Sequence, residues 1–140
     1  RLLGSGTTRD GRPFLAIELA LGVPITAYCD EHGLSLRQRV ELFLQVCTAV
    51  QHAHQRAVLH RDLKPSHLLV RTEDGRPKLE VIDFGIAKLL SPMVSGIGHR
   101  TERGEILGTP EYMAPEQADG GLGGVDARTD IYALGVVLHE

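Results

Sequence analysis

Cysteine is scarce in this 140-residue chain, with Cys29 and Cys47 the only two. Two thiols cannot build the disulfide framework of a small secreted domain, so a reducing compartment, the cytoplasm, is the expected setting. An excess of either charge is also missing. The 15 Lys and Arg stand against 18 Asp and Glu, for a net charge of −3. A dedicated nucleic-acid binder needs a basic surface, so no nucleic-acid partner is expected. No run reaches the ~18 apolar residues that cross a bilayer. The uncharged stretch from Leu19 to Cys29 is too short and is broken by Gly22 and Pro24, so no membrane segment is expected in this chain, while an anchor outside it stays open. There is no signal-peptide pattern, internal repeat or low-complexity tract. What is present is a 42% hydrophobic composition, too apolar for disorder and sufficient for one domain with a real core. The chain opens on Arg1 and closes inside an apolar run, so it is expected to be a piece of a longer sequence.

Two strands are expected first: a short apolar piece at Leu2-Leu3, then a buried run from Phe14 to Ile17, with a Gly-, Ser- and Thr-rich loop between them. Ile25 to Glu31 suits a short helix that stops near Gly33. Ser35 and Gln38 have capping-box spacing at the head of a long helix. Leu36, Val40, Phe43, Cys47, Val50 and Ala57 form one apolar stripe on it. Leu42, Val46, Ala49 and Ala53 form a second, and a helix apolar over so much of its circumference is expected to be buried. Cys47 reads as a packing residue. Leu68 to Val70 and Leu79 to Ile82 then suit a hairpin turned by Asp74-Gly75. Residues 91–108 have no periodicity and are expected to be a functional loop. Ala127 to Glu140 suits a buried helix.

The chemistry-bearing segment is His60-Arg61-Asp62-Leu63-Lys64-Pro65-Ser66-His67, between the long helix and the hairpin. Sixteen residues beyond His67 stands Asp83-Phe84-Gly85, and then Gly108-Thr109-Pro110-Glu111-Tyr112-Met113-Ala114-Pro115-Glu116. Each piece alone is a modest signal. The three in this order, with a hairpin and a long loop between them, are specific. The constellation resembles a protein kinase of the bacterial Ser/Thr type. Thr129-Asp130-Ile131-Tyr132-Ala133-Leu134-Gly135 resembles the start of that family's central helix.

The resemblance implies an α+β, two-lobed, protein-kinase-like fold. Residues 1–20 would be the end of the small lobe and the hinge, and residues 21–140 part of the large lobe. It implies ATP and Mg²⁺ as cofactors and a protein carrying Ser or Thr as substrate. Asp62 would orient the attacking hydroxyl and accept its proton, and Lys64 would place a positive charge beside the transferring phosphoryl group. Thr109 would help to place the acceptor. Asp83 would hold Mg²⁺ through a hard carboxylate oxygen. Ile17 would lie behind adenine, with Glu18, Leu19 and Ala20 as hinge and Leu69 beneath the ring. His60 and Phe84 would belong to a hydrophobic stack that includes Leu3. Glu116 would end the activation segment, and Asp130 would tie the catalytic-loop backbone to the central helix. Arg61 implies control by a phosphate, with Thr101 as the expected phosphosite.

Two departures stand out. His67 occupies the place where the family has Asn as a second metal ligand. An imidazole nitrogen suits zinc or copper more than Mg²⁺, so weakened metal binding is expected. The chain also holds no glycine-rich phosphate loop, small-lobe Lys or paired Glu. A pseudokinase or scaffold is therefore the competing reading. A small-molecule phosphotransferase shares the two Asp residues, but Arg61-Asp62-Leu63-Lys64-Pro65 and Ala114-Pro115-Glu116 argue against it. A zinc site built on His52 and His54 is disfavoured, because i and i+2 on a helix face different ways.

Overall fold

The structure, a computed structural model, describes residues 2–84, 110–118 and 125–140. Gly85, Thr101 and Thr109, with the whole of the expected loop at residues 91–108, lie outside the described residues. The chain divides into two units, with the break at Ala20 and Leu21.

Among the described residues, the first unit holds an antiparallel hairpin of β1 (Leu2–Thr7) and β2 (Pro13–Ile17). Gly4 faces Ala16 and Gly6 faces Phe14 across it. The expected two-residue apolar piece thus extends through Gly4, Ser5, Gly6 and Thr7. Their intrinsic strand preference is weak, and the cross-strand partners supply the order. The expected burial of the second strand is not found: Phe14 and Ile17 are exposed. A two-stranded ribbon alone covers little of either face.

The second unit carries the core. Its sheet has the order β3-β4-β5, all antiparallel, with β3 at Val23–Pro24, β4 at Leu68–Glu73 and β5 at Arg76–Val81. The β4–β5 turn follows the sequence expectation. Asp74 and Gly75 have φ of +51° and +72°, the two left-handed residues that a tight hairpin turn needs. Gly22 lies where β3 approaches β4 so closely that a Cβ would stand 2.8 Å from the Val70 carbonyl oxygen.

Helix α1 spans Ile25–Glu31 and α2 spans Leu36–His54. The Ser35/Gln38 capping box forms in both directions, satisfying backbone N–H groups that the first turn cannot pair. Helix α2 packs against β5 and the final helix. Only its Leu42, Val46 and Val50 are fully buried. The expectation of burial all round is corrected: Leu36, at 78% exposed, and Val40 face outward, and Cys47 is only partly buried. Ala57, expected on the first stripe, lies beyond the helix at φ +57°.

A short helix α3 (Pro115–Ala118) precedes α4 (Ala127–His139). Helix α4 is capped by the Asp126 carboxylate, which accepts from Arg128 N–H. It buries one face, through Thr129, Asp130, Ala133 and Val137, while Ile131, Tyr132 and Leu138 are exposed. The core joins Ile25, Tyr28 and Cys29 of α1, the α2 face, Leu68 and Val70 of β4, and Ala133 and Val137 of α4.

Candidate active site

Residues 60–67 lie between α2 and β4, anchored from within. Leu63 is fully buried and Pro65 is buried; a side chain such as Leu63 contributes about 1.5–3 kcal/mol on burial. Asp62 and Lys64 flank Leu63, so the buried residue pins two partly exposed ones.

Asp130, in the first turn of α4, is 1% exposed. Its carboxylate accepts from His60 N–H at 2.8 Å, Arg61 N–H at 2.7 Å and His54 Nε2 at 2.7 Å. A buried carboxylate is tolerated when its lone pairs are filled in this way. Arg61 is held at φ +69°, where a non-glycine residue needs such constraint.

The open side of the loop gathers four chemical groups. Lys64 Nζ lies 2.9 Å from Asp62 Oδ2. The His67 ring stands between the two acids: Nδ1 is 3.6 Å from Asp62 Oδ2, and Nε2 is 3.6 Å from Asp83 Oδ2. His67 Nδ1 also donates to the Asp62 carbonyl at 2.7 Å. Asp83 follows β5 at φ +62°, and the His67 carbonyl accepts from Ile82 N–H at 2.9 Å. The two carboxylates therefore flank one imidazole.

His60 lies beneath this face. Its ring is 4.7 Å from Phe84 and 5.7 Å from His67, centre to centre. Nε2 donates to the Ile82 carbonyl at 2.8 Å, while Nδ1 accepts from Asp62 N–H at 3.3 Å. Burial pushes its pKa below the ordinary histidine range, and the Ile82 carbonyl opposes that in part.

The other expected residues divide between the units. Ile17, Glu18 and Ala20 belong to the first, whereas Leu69 lies on β4 opposite Glu80 and Pro24 in the second. Glu116, on α3, accepts from the Thr129 hydroxyl at 2.6 Å, which holds its carboxyl below the usual range. Sequence reasoning missed His54, weighed only as a zinc ligand, and Gln117. The signal for Gln117 was its place three residues after Ala114 with Pro115 between, the pattern of a helix start.

For Mg²⁺ the donor chemistry fits at one position. Asp83 offers a partly exposed carboxylate, the hard oxygen this ion takes. His67 does not fit: its Nδ1 proton is committed to the Asp62 carbonyl, and what it turns toward Asp83 is a nitrogen. Among the described residues, no group of three or more His, Cys, Asp or Glu could hold a metal ion. Nor, among them, is any helix long and apolar enough to cross a membrane.

The chain is 45% identical over 130 residues to the serine/threonine-protein kinase Pkn1 of Myxococcus xanthus, covering 92% of this chain and 18% of that protein. It is 33% identical over 139 residues to PknB of Mycolicibacterium smegmatis, covering 98% of this chain and 21% of the relative. Among solved structures, the PknI kinase domain of Mycobacterium tuberculosis, a double mutant, superposes with a TM-score of 0.67 at 25% identity, covering 98% of this chain and 47% of that one. The chain thus spans about half of a solved kinase domain and about a fifth of its curated relatives. The α+β expectation and the kinase-like fold agree with these matches. The family model for the protein kinase domain matches residues 5–140, and the chain belongs to that family.

Proposed function

We propose that the protein containing this chain transfers the γ-phosphoryl group of ATP to a serine or threonine hydroxyl of a protein. The observation that carries the reading is the placing of Asp62 and Asp83 on either side of the His67 ring, with Lys64 beside Asp62. Phosphoryl transfer asks a protein mainly to position groups and neutralise charge. Asp62 orients the acceptor hydroxyl and takes its proton at a carboxylate oxygen. Lys64 sets a positive charge where negative charge gathers on the transferring group. Asp83 is the residue that would hold Mg²⁺, which supplies charge neutralisation at the ATP phosphates when bound. Ile17, Glu18, Ala20 and Leu69 are assigned to adenine, and Thr109 to the acceptor.

The test is incubation of the full-length protein with radiolabelled ATP, Mg²⁺ and a Ser/Thr-rich protein, followed by phosphoamino-acid analysis. Label on serine or threonine, lost in Asp62→Asn, is expected. A folded full-length protein that binds ATP and transfers nothing overturns it in favour of the second reading, a binding domain without catalysis. His67 in the second metal position is the feature that favours that reading. Control follows the same chemistry: Arg61 pairs with a phosphate on Thr101. Mass spectrometry of an active preparation with Thr101 unmodified removes that assignment.

A further inference from the structure

Asp130 is not alone in fixing Arg61. The N–H of Arg61 is held by Asp130 Oδ1 at 2.7 Å. Its carbonyl, at the other end of the residue, accepts from Gln117 Nε2 at 2.7 Å. Gln117 is far away in sequence, at the third position of α3. Its Oε1 accepts from Ala114 N–H at 3.1 Å. The two ends of this amide are therefore in use, and turning it over would set oxygen against the Arg61 carbonyl and NH₂ against the Ala114 N–H. Capping α3 needs only the oxygen. The NH₂ group does something else.

The Arg61 carbonyl and the Asp62 N–H belong to one planar peptide unit. Gln117 holds that plane by its carbonyl, while His60 Nδ1 meets it at the Asp62 N–H, 3.3 Å away. The direction in which the Asp62 side chain leaves the backbone depends on that plane. Arg61, at φ +69°, is in a conformation an L residue keeps only under constraint. Release of one of its two ties lets it relax, and Asp62 turns with it.

We propose that Gln117 is a positioning residue for Asp62: its side-chain amide holds the Arg61 carbonyl and so aims the Asp62 carboxylate at the acceptor hydroxyl. Its kinetic consequence rests on the phosphotransfer reading above. The sequence places Gln117 just beyond Ala114-Pro115-Glu116, so the same contact links the segment after the loop to the residue assigned the proton transfer.

Two variants of the full-length protein test this. Gln117→Glu keeps the length and an oxygen for the Ala114 N–H, but an ionised carboxylate cannot donate to a carbonyl. Gln117→Met keeps the length and loses both bonds. Both are expected to lower kcat by about tenfold to a hundredfold, the scale of a small misplacement at a reacting centre. The KM for ATP stays within about twofold, since Gln117 is not assigned to nucleotide binding. Gln117→Glu keeps the parental melting temperature, and amide hydrogen exchange at Asp62 quickens in both. Parental kcat in Gln117→Glu overturns the proposal, because capping alone then accounts for the residue. So does a joint loss of kcat, ATP affinity and melting temperature in that variant. If the parent transfers no phosphate, the phosphotransfer reading fails by itself. Exchange at Asp62 then decides: quickened exchange in Gln117→Glu supports the positioning tie, and parental exchange overturns it.

Discussion

Asp130 and Asp62 are carboxylates of one small region with opposite surroundings. Asp130 is 1% exposed and receives three donors, two of them from the backbone of residues 60 and 61. Asp62 keeps 34% of its side chain exposed, beside Lys64 and the His67 ring. One carboxylate is used up by the fold, and the other stays partly open. Electrostatic catalysis works through groups already aimed before the substrate arrives, and on the proposed function the buried acid holds the backbone next to the open one. The two should therefore fail differently.

The largest expected effect is on the buried side. Asp130→Ala in the full-length protein leaves two backbone N–H groups and His54 without their acceptor. Each buried donor left without its acceptor costs about 1–3 kcal/mol. Chemical denaturation should show that loss. A cost below about 1 kcal/mol, the worth of one ordinary hydrogen bond, would erase the contrast between the two acids.

Asp62→Asn should do the reverse. The amide keeps the shape and cannot take a proton, so kcat is expected to fall about 10²–10⁴-fold, the usual contribution of a positioned general base. The denaturation midpoint should stay with the parent, because the side chain is partly exposed. Equal losses of stability and rate would place Asp62 with Asp130 as a structural acid.

His67→Asn sharpens the chemical half. Asparagine replaces a ring nitrogen with a neutral carbonyl oxygen, which suits Mg²⁺ better. It also removes the imidazole that stands 3.6 Å from each acid. Phosphate transfer by the full-length protein is expected to rise about tenfold, equivalent to about 1.4 kcal/mol of barrier, with a lower Mg²⁺ requirement. An unchanged rate and Mg²⁺ requirement would show that His67 does not limit this site.

The same contrast separates what was legible in the sequence from what was not. Residues 60–67 and 83–84 carry their identity in contiguous letters, so the open face could be named in advance. The Ser35/Gln38 cap and the Asp74-Gly75 turn were legible because each is satisfied within a few residues. The bond from His54 to Asp130 spans 76 residues, and no local pattern announces it. The contact of Gln117 with Arg61 spans 56 residues and is no more legible. On α2, periodicity named the apolar residues but not the buried side. That depended on β5 and α4 covering Leu42, Val46 and Val50 and leaving Leu36 outside. In β1, glycine and serine gave no strand signal, and pairing with β2 decided the matter.

The smallest expected effect falls on His60, which touches both halves. Its Nε2–H is given to the Ile82 carbonyl, and its Nδ1 lone pair receives the Asp62 N–H. A second proton on the ring would set two donors against each other at Nδ1. Burial already holds the pKa below its ordinary value. The unfolded chain, with a reference value near ~6.5, takes up a proton that the folded ring refuses. The His60 contribution to stability is therefore complete above that value and declines as the pH falls from it toward the lowered pKa. The slope is at most about 1.4 kcal/mol per pH unit for one proton. His60→Phe keeps a ring against Phe84 but cannot titrate. It should be less stable than the parent at pH 7.5 and lose less on going to pH 5.5. Parallel curves for the two proteins would show that this ring carries no proton linkage.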